Sequence, residues 1–433
     1  METKSPPAPA LWALLDCNTF YCSCERLFRP DLRDHPVVVL SNNDGCIVAL
    51  SPEAKALGFR GGDPYFKKEL DLKAHKVAVF SSNYTLYGDI SRRVMWAMET
   101  VVPKIHQYSI DEAFIPFSDK YSPEQVGWEL HDRVTKWVGV PVRVGIGPTR
   151  TLAKLANHWA KKISRVLYLE LGSPKLNEIL ENTALEDIWG IGRRKAAKLQ
   201  KQGITNASQL RDMEPIEARR LLTVTGERTV MELKGIQTIT DDLAPTPRKT
   251  LISSRSFGAK VQNFDNLMAA LAAHAHIAGE RLRSEGLLAS GLSIFIDTSR
   301  FSQKPFNTGA TVHFPVPTSS TIDFVKGARM ALESAFTPNY DYNRCGIMLH
   351  ELITCEEASY MLGELFKPQA EAEINKSLGL MEAMDKINQK HGKNTIHVLA
   401  LGPPRPYWAM RREKLSPFTT TSWGKLPVVT AKP

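Results

Sequence analysis

The sequence predicts an α+β protein built from several small domains. Three observations carry that expectation. The chain has 433 residues, more than one hydrophobic core usually serves. Strand-like and helix-like patterns alternate from residue 76 to 169 and again from 251 to 355. Between them, residues 173–240 read as mostly helical.

The elements follow in order. Leu11–Leu15 is a continuous apolar run, expected as a buried strand ending at Asp16. Val37–Leu40 and Cys46–Leu50 are further strands. Pro52 can start a helix through Leu57, stopped by Gly58. Lys76–Phe80 reads as a strand, and Leu86, Ile90, Val94 and Met98 give residues 84–101 a helical period closed by Pro103. From Ile105 to Ile115, apolar runs flank a polar tetrad, which predicts a hairpin with Asp111 and Glu112 at its bend. A helix at 123–138, a strand at Val142–Gly147, a helix capped by Thr149 or Thr151 and a strand at Val166–Leu169 complete this part. From residue 76 onward that order matches the split β-α-β arrangement of a ferredoxin-like sheet. Asp241–Lys249, with two prolines and two acids, reads as a linker. Beyond it the expected elements are strands at Leu251–Phe257, Gly291–Ile296, Thr311–Phe314 and Arg344–Leu352, with helices near 264–285 and 321–335. The last stretch, 356–433, has weak periodicity and is expected to be a partly ordered tail.

Composition excludes several classes. A hydrophobic fraction of 43% and a charged fraction of 23% are those of a globular chain, not a disordered or collagen-like one. No segment reaches the roughly 18 apolar residues of a membrane span, and Leu11–Leu15 is too short for a signal sequence, so a cytosolic location is expected. The six cysteines contain no C-x-x-C pair, and reduced thiols filling core spaces are the expected state. The formal net charge is +9, unevenly spread. Residues 1–149 carry 17 basic and 18 acidic side chains, whereas residues 150–201 carry 11 and 5, a net of +6. That stretch fits an anionic partner.

Asp16 ends one strand and Asp111-Glu112 sits on a hairpin expected in the same sheet. Carboxylates brought together repel unless cations neutralise them. Two divalent ions about 3.5–4 Å apart would do so and would suit phosphoryl transfer, with Mg²⁺ preferred for its hard oxygen ligands. On the acids alone, a strand cap and a decorated turn remain an alternative.

The neighbouring residues add a family resemblance. Asp16-Cys17-Asn18-Thr19-Phe20-Tyr21-Cys22-Ser23-Cys24-Glu25 resembles the opening motif of Y-family (translesion) DNA polymerases. Ser109-Ile110-Asp111-Glu112-Ala113-Phe114 resembles their second carboxylate motif, and Val144-Gly145-Ile146-Gly147 with Thr151–Ala156 resembles their phosphate-contacting segment. Ser41–Cys46 and Phe80–Tyr84 are similar to the UmuC-type subgroup, catalytic subunits of bacterial DNA polymerase V. The resemblance runs from about residue 11 nearly to the C-terminus. It implies a ferredoxin-like palm (11–19 and 83–172), fingers (20–82), a helical thumb with a helix-hairpin-helix (173–241), a linker (242–249), an α/β little finger (250–355) and a C-terminal partner-binding tail (356–433).

The resemblance also implies roles. Asp16, Asp111 and Glu112 would be the catalytic carboxylates holding two Mg²⁺ ions, with the Cys17 carbonyl as a further ligand. Asn18, Phe20, Tyr21, Lys55 and Lys154 would bind the nucleotide, Tyr21 as the steric gate under the sugar. One segment departs from the pattern: where many members read Asn-Tyr-Glu-Ala-Arg, this chain has Ser51-Pro52-Glu53-Ala54-Lys55. Lysine cannot reproduce the bidentate phosphate contact of arginine. In Ile188–Lys195, the glycines Gly190 and Gly192 with Arg193 and Arg194 resemble a hairpin that approaches DNA phosphates. Arg255 is the expected phosphate contact of the little finger. Leu365-Phe366 fits the end of a sliding-clamp peptide, although no Gln precedes it at the expected place.

The function so implied is error-prone, DNA-directed translesion synthesis in the SOS response. The partners would be primer-template DNA and dNTP, a UmuD′-like dimer, the RecA filament and the sliding clamp, in a bacterial, nucleoid-associated setting. A non-catalytic DNA-binding scaffold would be expected to lose a carboxylate or Tyr21, and this chain retains them. A two-metal nuclease or cyclase on a similar sheet would need neither the hairpin nor the last α/β domain.

Overall fold

The structure is a computed structural model that describes residues 11–117, 122–239, 248–361, 378–402, 406–422, 424 and 426. The chain divides into two compact units, Met1–Leu243 with Glu413–Pro433, and Ala244–Arg412.

The first unit opens with β1 (Leu11–Cys17) and α1 (Phe20–Leu27). A small sheet follows, made of β2 (Val37–Leu40), β3 (Ile47–Leu50) and, after α2 (Pro52–Ala56) and α3 (Tyr65–Ala74), β4 (Ala78–Ser81). Its order is β3-β2-β4, with β2 antiparallel to β3 and parallel to β4. The expectation that the strand near 76–80 belongs to the ferredoxin-like sheet is therefore corrected. Val37–Leu40 and Ala78–Ser81 are apolar enough to bury each other's edges, and they pair residue for residue.

Next come α4 (Tyr84–Glu99), β5 (His106–Gln107), β6 (Glu112–Phe117), α5 (Pro123–Val138), β7 (Val142–Gly147), α6 (Arg150–Ile163) and β8 (Val166–Tyr168). With β1 these strands form a five-stranded sheet in the order β5-β6-β1-β7-β8. The central strand β1 runs antiparallel to both β6 and β7. Alternation along β1 sends Ala13 and Leu15 into a core with α4 and α5, and Trp12 and Leu14 into the opposite layer with Ala153 of α6. Thr149, not Thr151, caps α6, its hydroxyl accepting from the Leu152 N–H. Gly145 lets α6 lie close: a Cβ there would stand 2.0 Å from the Asn157 backbone nitrogen.

A helical cluster follows: α7 (Pro174–Glu181), α8 (Arg193–Gln200), α9 (Ala207–Asp212) and α10 (Pro215–Leu233). The left-handed Thr223 (φ 71°) kinks α10. Glu232, 1% exposed, ties this cluster to α6: its carboxylate accepts from the Thr151, Thr238 and Ile239 N–H groups.

The second unit is a four-stranded sheet in the order β11-β10-β12-β9, built from β9 (Thr250–Val261), β10 (Leu287–Thr298), β11 (Asn307–Thr318) and β12 (Tyr342–Thr354). The helices α11 (Phe264–Ser284) and α12 (Thr321–Ala335) cover one face, and α13 (Cys355–Met361) follows β12. All four strands are longer than the sequence pattern indicates. The weakly periodic tail also contains a helix over residues 378–391, which buries Met381, Met384 and Asn388. Arg283, with its side chain 6% exposed, holds that helix through a two-pronged ion pair to Asp385 at 2.7 and 2.8 Å. Leu365-Phe366 and most of the expected linker lie outside the described residues. No helix among the described residues is long and apolar enough to cross a membrane.

Candidate active site

The site forms where β1 ends. Register places Asp16 directly opposite Glu112 of β6 on one side and Arg143 of β7 on the other. The Cys17 N–H donates to the Asp111 carbonyl at 3.0 Å, which fixes the turn before β6. The expected hairpin is present, with Tyr108 and Ser109 N–H groups donating to the Glu112 carbonyl. Asp16, Asp111 and Glu112 thus share one corner of the sheet.

Each carboxylate has a partner. Arg143 Nη2 donates to Asp16 Oδ1 at 2.6 Å, Lys154 Nζ to Glu112 Oε2 at 2.7 Å, and Ser109 Oγ to Asp111 Oδ1 at 2.6 Å. Such charge-assisted bonds contribute roughly 1.5–3 kcal/mol each when partly buried. Burial pushes the Asp16 carboxyl up to about 6; the Arg143 charge and hydrogen bond oppose that shift, while Glu112 and Asp111 add to it. The residues that neutralise this corner are therefore two side-chain cations, and Arg143 was not singled out from the sequence. Among the described residues no group of three or more His, Cys, Asp or Glu side chains converges as a ready metal nest. The chemistry of the donors nonetheless fits a hard divalent cation: all are oxygens, and the mutual repulsion of Asp16, Asp111 and Glu112 favours added positive charge. Arg143 and Lys154 each take one oxygen, which leaves Asp16 Oδ2 and Glu112 Oε1 as further donors.

Beside this corner lies a cleft of about 660 Å³. Asp16, Asn18, Phe20, Tyr21, Lys55 and Asp111, all singled out from the sequence, line it. So do Pro52, Arg143 and Lys161, which were not among those residues. Lys55 and Lys161 make no ion pair among the described residues, so the lining includes two cationic residues without a carboxylate partner there. The turn into α1 passes through Thr19 in the left-handed region (φ 42°), a strained setting for a β-branched residue. Thr19 supplies no side-chain cap, so the first-turn N–H groups of α1 are open to an anion. The buried Oδ1 of Asn18 has no hydrogen-bond partner among the described residues.

Tyr21 forms a wall of the cleft. Its ring stacks on Tyr87 (centroids 4.5 Å apart, 15° between planes) and meets the edge of Tyr84 at 6.0 Å. Phe20 is buried at 3% exposure and packs into the core. Lys154 lies outside the cleft lining, on Glu112, with its ammonium 4.7 Å from the Tyr108 ring and 5.5 Å from the Trp189 ring.

Trp189 precedes the glycine turn. Gly190 takes φ +86°, which favours glycine, and Gly192 is the uncapped N-cap of α8 with exposed Arg193 and Arg194 after it. That leaves helix N–H groups and two cations facing solvent. In the second unit Arg255 pairs with Cys345, whose side chain is buried toward the helices, and it lies beside His274 of α11. It shares the parity of Leu251 and Phe257, whereas Arg344, over the Phe295 ring at 4.9 Å, occupies the opposite parity.

A Y-family DNA polymerase chimera of known structure superposes with a TM-score of 0.61 at 17% identity, covering 79% of this chain and 99% of its own. The fold is that of the Y-family polymerases. Residues 15–158 match the impB/mucB/samB family, residues 248–362 match that family's C-terminal domain, and residues 379–429 match a domain of unknown function, DUF4113. Salmonella typhimurium ImpB is 38% identical over 430 residues (96% of this chain, 99% of the relative), and UmuC of the same species is 38% identical over 425 residues, with the same coverage. DNA polymerase IV 1 of Bacillus subtilis is 26% identical over 88% of this chain and 91% of its own length. The chain belongs to the impB/mucB/samB family, the UmuC-type Y-family DNA polymerases.

Proposed function

We propose that the protein carries out error-prone translesion DNA synthesis in the SOS response, by nucleotidyl transfer at the corner formed by Asp16, Asp111 and Glu112. The observation that carries this reading is that β1 and β6 bring Asp16 and Glu112 into register, with Asp111 at the turn before β6, beside a cleft walled by Tyr21. In this reading the five-stranded sheet is the palm, the three-stranded sheet belongs to the fingers, the α7–α10 cluster is the thumb and the second unit is the little finger. The three carboxylates and the Cys17 carbonyl would hold two Mg²⁺ ions. Bound there, such ions stabilise charge on the attacking and leaving oxygens. Asn18, the α1 N-terminus, Lys55 and Lys161 bind the triphosphate, and Tyr21 presses against the sugar where a 2′-hydroxyl would project. Lys154 becomes available to the phosphates when Glu112 has another positive partner. Arg193 and Arg194, with the backbone at Gly190 and Gly192, grip the duplex backbone; Arg255 serves the same end from the second unit. The relationship to UmuC also supports a UmuD′-like dimer, the RecA filament and the sliding clamp as partners.

Primer extension with Mg²⁺ and all four dNTPs tests the reading, using the chain assembled with its UmuD′-like partner and RecA. Wild type should extend past a template lesion, and Asp111→Asn should lose at least about two orders of magnitude in rate. Wild-type extension no faster than Asp111→Asn would sink the proposal.

A further inference from the structure

The C-terminal segment returns to the first unit and lies along the free edge of β4. The Ser81 N–H donates to the Lys414 carbonyl at 3.0 Å, the Lys414 N–H donates to Ser81 Oγ at 2.9 Å, and Ser81 forms a parallel bridge with Leu415. The Glu413 N–H donates to Asp44 Oδ2 at 2.9 Å. These bonds hold Ser416 over a buried polar pair. Ser416 Oγ donates to Glu25 Oε1 at 3.1 Å and accepts from Asn83 Nδ2 at 2.9 Å. The same Glu25 oxygen accepts from the Tyr87 hydroxyl at 2.7 Å. Tyr87 is fully buried, and its ring is the surface on which Tyr21 is stacked. Asn83 also caps α4, the helix that carries Tyr84 and Tyr87, through its Oδ1 and the Leu86 N–H at 3.2 Å.

We propose that Ser416 is a positioning residue for sugar selection: by closing over Glu25 it fixes Tyr87, and so the plane in which Tyr21 meets the nucleotide sugar. The relay runs Ser416–Glu25–Tyr87–Tyr21 without a gap. A buried carboxylate that loses one of two donors rearranges or admits water. Tyr87 then has more than one setting, and a stacked ring follows its partner. Discrimination against a 2′-hydroxyl depends on a wall that does not yield. The segment that supplies Ser416 lies in the part of the chain matching a domain of unknown function.

The inference rests on the reading of Tyr21 as the gate, so the experiment includes that residue. Single-nucleotide incorporation by the full chain with its partners is measured for dNTP and rNTP in wild type, Tyr21→Ala, Ser416→Ala and Ser416→Thr. Loss of one such hydrogen bond should raise the ribo/deoxy ratio of kcat/KM about 3- to 10-fold in Ser416→Ala. The change should come from gain on the ribonucleotide, and Ser416→Thr, which keeps the hydroxyl, should return the ratio toward wild type. An unchanged ratio in Ser416→Ala while Tyr21→Ala relaxes selection overturns the inference alone. So does an equal fall in both substrates, which marks a structural role only. An unchanged ratio in Tyr21→Ala removes the gate and this inference together.

Discussion

Replacing Gly145 with alanine probes how closely α6 must approach the sheet. The added Cβ would lie 2.0 Å from the Asn157 nitrogen, 2.4 Å from the Ala153 carbonyl oxygen and 2.6 Å from the Asn157 Cα. All three are backbone atoms, so no side chain can rotate away. Restoring ordinary contact at 3.4 Å requires α6 to retreat by about 1.4 Å. That retreat breaks the two bonds from Asn157 Nδ2 to the Leu14 and Arg143 carbonyls, each 3.1 Å long. Overpacking costs roughly 1–3 kcal/mol and each lost bond roughly 1 kcal/mol, which gives about 3–5 kcal/mol in all. The same movement displaces Lys154 from Glu112, so primer extension should fall with stability. Gly192→Ala is the control: nothing lies within 4 Å of its Cβ position and its φ is −87°, so its unfolding midpoint in urea should stay close to wild type. A Gly145→Ala chain within about 0.5 kcal/mol of wild type, or a Gly192→Ala chain equally destabilised, would refute the reasoning.

Glu25 makes stability depend on pH in a known direction. Burial raises its carboxyl from 4.5 to about 7, against the hydrogen bonds from Tyr87 and Ser416, so the folded chain binds a proton that the unfolded chain releases. This contribution is complete below about pH 4.5 and is lost as pH rises through 7, on the order of 3 kcal/mol in total. Urea midpoints at pH 5 and pH 8 should show the wild-type loss, and Glu25→Gln should flatten it. Arg283→Met should strand Asp385, whose side chain is 17% exposed, at a cost of roughly 3 kcal/mol. Hydrogen exchange should then quicken selectively over residues 378–391, and unchanged protection there would show that the ion pair does not hold the helix.

The carboxylate corner was legible because its parts are short contiguous strings at strand ends. Asp16 closes an apolar run, Asp111 and Glu112 sit between two others, and antiparallel pairing brings such ends together. Of the two cations on these acids, Lys154 came with its motif and Arg143 did not. Arg143 reads as one more residue of a strand, and only the register of β1 against β7 shows that it faces Asp16. Sheet membership of the strand near residue 80 was hidden for a related reason: β2 and β4 are apolar without a partner-specific pattern, and parallel pairing is non-local. Arg255 stays exposed on the edge strand β9 although its parity is that of the core. Leu251 and Phe257 are both apolar and an even number of residues away, so in a strand they share its face. The helix at 378–391 also left a signal in Met381, Met384 and Asn388, spaced three and four apart. Ser416 left none. Its partner Glu25 lies 391 residues earlier, inside a motif whose other residues already have work at the cleft. A motif read alone points to residues at the cleft; the folded chain shows that Tyr21 rests on Tyr87 and that Tyr87 is bonded to Glu25.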